Sequence, residues 1–140
     1  MSPIVGITFG AFDLCHAGHI LLFKDCKRLC DYLIVGLQFD PSIERKDKNT
    51  PVQSFYERYV QLQGVKYVDE IIPYRYEEEI IQILQTVNVH IRFFGNDYIG
   101  KDFTGKEVCD KKLISKHYVN RDHGFSSSEL RKRIESINHR

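Results

Sequence analysis

Apolar residues fall along this chain in two alternating rhythms. Ile4 to Phe9 and Tyr32 to Phe39 are short, nearly unbroken apolar runs, the pattern of strands buried on both faces of a parallel sheet. Between them, Ile20 to Cys30 spaces its apolar residues like a helix. Ser54-Phe55-Tyr56-Glu57 is a capping-box pattern that starts a second helix, predicted to run to about Val65. Val68 to Pro73 is then a third strand, and Glu77 to Val87 a helix with Ile80, Ile81, Leu84 and Val87 on one face and Asn88 as its stop. Ile91 to Phe94 follows as a fourth strand, Lys106 to Ile114 as a helix and His117 to Asn120 as a fifth strand. A last helix begins at Ser126-Ser127-Ser128-Glu129 and buries Leu130, Ile134 and Ile137. Strands and helices in alternation predict an α/β fold, a five-stranded parallel sheet flanked by helices, in a single domain over residues 1–140.

Chemistry concentrates where strands end. Gly10-Ala11-Phe12-Asp13-Leu14-Cys15-His16-Ala17-Gly18-His19 joins the first strand to the first helix. The first amides of a helix lack internal partners and its dipole is positive there, which suits a polyphosphate. Gly10 and Gly18 allow backbone to approach a ligand, and His16 and His19, three apart, can aim both imidazoles at one anion. A metal site built on Cys15, His16 and His19 finds no second Cys/His pair at zinc spacing, and Cys26 and Cys30 read as small buried apolar residues. Three more stretches sit at ligand-facing positions. Glu44 to Thr50 is a charged loop after the second strand, in which Arg45, Lys46 and Lys48 are either solvated charges or a flexible lid over phosphates. Gly95-Asn96-Asp97-Tyr98 ends the fourth strand, and Arg121 with the serine run describes either a self-capped helix or an anion clamp.

Four blocks in order carry a family resemblance: Gly10 to His19, Lys66-Tyr67-Val68-Asp69-Glu70, Gly95 to Lys101, and Arg121 to Ser128. Together they resemble the His-x-Gly-His nucleotidyltransferases, in particular the small cytidylyltransferases typified by the glycerol-3-phosphate enzymes. That resemblance implies a Rossmann-like nucleotidyltransferase fold and transfer of CMP from CTP to a small phosphorylated metabolite. By the same resemblance His16, His19, Lys46 and Arg121 are catalytic, with Lys48 the second choice for the loop lysine. Phe9, Gly10, Ala11, Phe12, Asp13, Gly18, Gly95, Asp97, Tyr98, Ser126, Ser127 and Ser128 would hold the nucleotide, Phe12 and Asp13 shaping the turn. Arg58, Lys66 and Asp69 are assigned to the acceptor, although Arg58 reads equally as a surface helix arginine. Tyr98 stands where relatives carry tryptophan and is expected either to stack on cytosine or to serve as an ordinary core tyrosine. Mg2+ is expected with the triphosphate, without a protein metal site, and the resemblance implies a homodimer. Ala11, Lys66, Asp122, Phe125, Ser127 and Ser128 depart from the family pattern and bear on the acceptor more than on the reaction. Two alternatives stay open: an adenylyltransferase of the same superfamily using ATP, and a nucleotide-binding module without turnover.

Charge and cysteine content narrow the setting. Twenty basic residues against nineteen acidic ones leave a formal charge of +1, so no global field recruits nucleic acid or an anionic membrane. Any anion site must be local. Four cysteines at unpaired spacings and no signal-like or long apolar segment imply reduced thiols and a cytoplasmic setting.

Overall fold

A computed structural model describes residues 2–138. Five strands, β1 (Val5–Gly10), β2 (Tyr32–Gln38), β3 (Glu70–Tyr74), β4 (Ile91–Gly95) and β5 (Ser115–Val119), form one sheet in the order β3-β2-β1-β4-β5. Every neighbouring pair is parallel. Helices α1 (Ala17–Lys27), α2 (Phe55–Gln63), α3 (Glu78–Thr86), α4 (Lys106–Lys111) and α5 (Ser127–Asn138) make the connections and the final element. The sequence pattern locates each element, with small shifts at the ends, but the apolar stripe read on α5 is not buried: Ile134 and Ile137 are exposed. β2 is buried from Leu33 to Gln38, as its unbroken apolar run requires. Two buried clusters lie on the sheet faces. One gathers Phe23, Leu33, Val35, Leu62 and Phe93, and the other Ile7, Ile34, Tyr74, Ile80 and Leu84.

Two helix boundaries differ from the periodicity for local reasons. α1 begins three residues before Ile20 because His16 caps it, its Nδ1 accepting the Gly18 amide at 3.1 Å. α4 stops at Lys111 rather than Ile114 because Leu113 takes a left-handed conformation, φ 56°. The Leu113 amide then bonds the Asp110 carbonyl and the Ile114 amide the Cys109 carbonyl, a Schellman cap that turns Ile114 into the core. None of the described helices is long and apolar enough to cross a membrane.

The topology opens a crevice at one edge. β1 runs to β2 on one side and has β4 on the other, so the chain order reverses between β1 and β4. β1 and β2 stay in register from Val5–Tyr32 to Gly10–Leu37, whereas β1 and β4 are paired only at Gly6–Ile91 and Ile7–Arg92. Beyond that point the carboxyl ends of β1 and β4 are no longer laddered together, and Gly10 and Gly95 border the gap. Open α/β sheets bind ligands at such a switch point.

Candidate active site

Backbone strain sets the entrance to the first helix. Phe12, Leu14 and Cys15 all have positive φ, at 48°, 68° and 34°, in the short 3-10 turn that separates β1 from α1. Left-handed backbone in three non-glycine residues persists only where neighbours over-determine it. Here they do. The Asp13 carboxylate accepts the Val52 and Gln53 amides at 2.8 and 3.1 Å and pairs with Arg131 of α5 at 2.8 Å. The Leu14 amide donates to Gln53 Oε1 at 2.7 Å, and Ser127 Oγ donates to the Asp13 carbonyl at 3.3 Å. Asp13 therefore shapes the turn by bracing it against the 51–53 loop and α5.

That bracing presents the two histidines as a pair. The His16 and His19 rings stack with centroids 3.7 Å apart and planes 22° from parallel, and Phe12 meets His19 edge-on at 5.2 Å. Because His16 Nδ1 accepts the Gly18 amide, its neutral ring carries the proton on Nε2 and can donate it outward. His19 is more deeply placed, with a buried Nδ1 that has no partner among the described residues. Burial, then the neighbouring His16 and Arg121, push the His19 pKa down to about 3. Burial, Arg121 and His123 lower His16 as well. Both imidazoles are thus neutral near pH 7, donors of hydrogen bonds rather than fixed cations.

This has a consequence for stability. A histidine depressed on folding stabilises the native state above its unfolded pKa of about 6.5, and that contribution is lost as pH falls from there toward the folded value. The unfolded chain binds more protons over that window, so stability rises with pH across it. Thermal unfolding followed from pH 7 to pH 4 should show a progressive drop, and His19→Gln should flatten the part of the curve between pH 6.5 and 4. An unchanged pH profile in that variant would place the acid sensitivity elsewhere.

Around the pair lies a cavity of about 460 Å³ lined by Ala11, Phe12, Asp13, His16, Gly18, His19, Gly95, Asp97, Arg121 and Ser126, Ser127 and Ser128. Its far wall is the start of α5, where Ser126 Oγ accepts the Glu129 amide at 3.0 Å. Arg121 is exposed and its Nη2 donates to the Phe125 carbonyl at 3.1 Å. Two helix starts and a guanidinium therefore converge on one space, the geometry of a polyphosphate cradle. A second cavity of about 630 Å³ adjoins it, lined by Phe9, Gly10, Gln38, Arg45, Tyr74, Glu77, Arg92 and Tyr98. Ala11, Phe12, Leu22, Lys48 and Gly95 border both.

Several assignments made from sequence change in three dimensions. Lys46 is exposed and borders neither cavity, whereas Lys48 borders both. Lys48→Ala should lower turnover about tenfold or more, as loss of a charge-assisted contact does, while Lys46→Ala stays within about twofold of wild type. Steady-state rates on the two variants check this, and the reverse ranking would restore Lys46. Tyr98, with Phe9 and Gly10, lines the second cavity and not the one holding the histidines, and its ring packs 5.5 Å from Phe94.

The acceptor assignments are corrected more sharply. Arg58 is 2% exposed. Its Nη1 donates to the Ala11 and Gln38 carbonyls at 3.0 and 2.6 Å, its Nε to the Gln53 carbonyl at 3.3 Å, and its Nη2 to the Phe39 carbonyl. It is not a surface arginine but a buried post to which the carboxyl ends of β1 and β2 are tied. Lys66 and Asp69 precede β3 and so lie at the amino edge of the parallel sheet, opposite the cavities. Lys66 Nζ sits over the Tyr67 ring at 5.2 Å, and Asp69 accepts the Leu33 amide at 2.8 Å and pairs with Lys27. Sequence reasoning also missed His123, Asn120, Asp25 and Arg131, all in the wall of the first cavity. Only Arg131, one turn past the serine run, had a periodicity that could have pointed to it.

A family model described as Cytidylyltransferase-like matches residues 7–133. The chain is 33% identical over 131 residues to a glycerol-3-phosphate cytidylyltransferase of Bacillus subtilis (strain 168), covering 94% of this chain and 97% of that protein. It is 39% identical over 66 residues to an FAD synthase of Thermococcus sibiricus, covering 47% of this chain and 45% of that one. Among solved structures, a lipopolysaccharide core biosynthesis protein from Thermoplasma volcanium superimposes with a TM-score of 0.66 at 26% identity, covering 89% of this chain and all of that one.

Proposed function

The chain belongs to the cytidylyltransferase-like family, and from that premise we propose that it transfers CMP from CTP to a small phosphorylated metabolite and releases pyrophosphate. The observation that carries this reading is the stacked His16–His19 pair facing Arg121 and the hydroxyl-rich start of α5 across one cavity. The site is rich in donors for phosphate, and among the described residues it shows no nucleophile-and-base pair of the acyl-transfer kind. A phosphate monoester needs none, because its second pKa of about 6 leaves it largely dianionic at pH 7. Its oxygen attacks the α-phosphorus of CTP, the new P–O bond forms, and the bond to the β-phosphate breaks to give pyrophosphate. His16 Nε2–H, His19 and Arg121 hold the oxygens on which charge accumulates, and the site contributes alignment and charge stabilisation.

We assign the triphosphate to the first cavity and the acceptor to the second, with Lys48 between them. Glycerol 3-phosphate or a related precursor of a cell-surface polymer or lipid is the acceptor class, supported by the end-to-end match to the Bacillus relative. Mg2+ accompanies the nucleotide. Among the described residues no three His, Cys, Asp or Glu side chains group into a metal site, and Asp25 and Asp97 are separate carboxylates of the cavity wall. That donor set fits an ion carried by triphosphate oxygens and water, where it would neutralise phosphate charge. A homodimer is part of the same reading. Exposed Ile43, Val52, Tyr56 and Tyr76, on α2 and the loops beside it, supply apolar surface for one.

The similarity to an FAD synthase keeps ATP as the second reading. Pyrophosphate release measured for each of the four nucleotides over a panel of phosphorylated acceptors decides between them. CTP should be preferred at least tenfold over UTP and ATP, since a site that hydrogen-bonds the base edge leaves its own polar groups unpaired with the wrong one. A preference for ATP would move the chain to adenylyl transfer, and no release from any nucleotide would leave a binding module.

A further inference from the structure

We propose that His123 is a third imidazole donor to the polyphosphate, closing the first cavity over the opening turn of α1. The proposal rests on the reading of that cavity as a polyphosphate site. His123 comes from the loop between β5 and α5 and borders the same space as His16, His19 and Arg121. A Cβ placed on Gly18 would lie 2.9 Å from Cε1 of His123 and 2.9 Å from Cε1 of His16. Two rings from different elements therefore flank one point at the helix start.

Their tethering is alike. His123 Nδ1 accepts the Phe125 amide at 3.1 Å, as His16 Nδ1 accepts the Gly18 amide at 3.1 Å. With Nδ1 accepting, the neutral ring holds its proton on Nε2, and among the described residues no hydrogen bond is made by His123 Nε2. The His123 ring also stacks on Phe125, 5.2 Å away and 22° from parallel. The Phe125 carbonyl in turn accepts from Arg121 Nη2 at 3.1 Å. One residue thus positions both the third imidazole and the guanidinium, through its N–H and its C=O. Nothing in the order Asp122-His123-Gly124 signals this, because the ring reaches Gly18 only once β5 is docked at the sheet edge.

The test uses inorganic pyrophosphate, which carries no base, so the outcome is independent of which nucleotide the enzyme takes. Asparagine at position 123 can accept the Phe125 amide as an Asx turn, keeping the loop anchored while removing the ring from the cavity. Calorimetric titration of the full chain should show His123→Asn and His123→Ala weakening pyrophosphate binding alike, by about tenfold. If His123→Asn binds like wild type while only His123→Ala is impaired, His123 serves the loop alone and the proposal falls. Should the variants fail to fold, the Nε2 nitrogen of His123 in labelled wild-type protein should shift on adding pyrophosphate, and an unmoved signal overturns the proposal. Wild-type protein that binds no pyrophosphate would instead overturn the polyphosphate reading of the cavity, and this proposal with it.

Discussion

Alanine at His16 should lower nucleotidyl transfer by about a hundredfold or more, roughly 3 kcal/mol of transition-state stabilisation, with most of the loss in kcat. With Nδ1 occupied by the Gly18 amide, the proposed reaction has His16 donate from Nε2, so the variant would lose a phosphate donor and a helix cap together. The cap is worth about 1 kcal/mol and should appear as a small drop in unfolding temperature, separate from the catalytic effect. His16→Asn, whose carbonyl can cap α1, should recover that stability and not the rate. Alanine or glutamine at His19 should cost a comparable factor, and the double variant should not multiply the two losses, since in the proposed reaction rings stacked 3.7 Å apart would serve the same phosphate. Near-normal turnover in both single variants would remove the histidine pair from the mechanism.

The largest effect on stability is expected at Arg58. Arg58→Met keeps the length of the side chain but leaves the carbonyls of Ala11, Gln38, Phe39 and Gln53 without their donor in a buried place. Stranding such a set should cost about 3–5 kcal/mol, or roughly 10 °C in unfolding temperature. Activity should fall as well, because Ala11, whose carbonyl Arg58 holds, borders both cavities. The assignment of Arg58 to the acceptor makes the opposite forecast, a raised KM for acceptor with unfolding unchanged. Thermal unfolding and acceptor KM measured on one preparation separate the two.

Arg58 and His19 illustrate why some roles were legible in the chain and others were not. His19 belongs to a ten-residue string whose strand-turn-helix setting already places it three positions beyond His16 on a helix start. Arg58 sits in the second turn of α2, where spacing alone permits a surface position, a ligand contact or a core one. The choice is made by the carbonyls of β1 and β2, which are distant in sequence and adjacent only in the sheet. Lys46 and Lys48 pose the same problem on a smaller scale, since an aperiodic loop carries no signal for which side chain faces inward. Lys66 and Asp69 were misplaced because a motif shared in order along the chain does not say at which edge of a parallel sheet it falls.

By itself the amino-acid sequence determined the alternation of strands and helices, the burial of β2 on both faces, and the position of Gly10 to His19 and Arg121 to Ser128 at strand-to-helix junctions. These follow from local periodicity and from capping, which act over a few residues. Tertiary structure decided what depends on order in space. The reversal between β1 and β4 parts the strand ends and makes the crevice. Asp13 bracing three left-handed residues stacks the two imidazoles, and the docking of β5 brings Arg121, His123 and the start of α5 across from them. Such contacts join residues as far as 118 positions apart, and no short-range pattern encodes them.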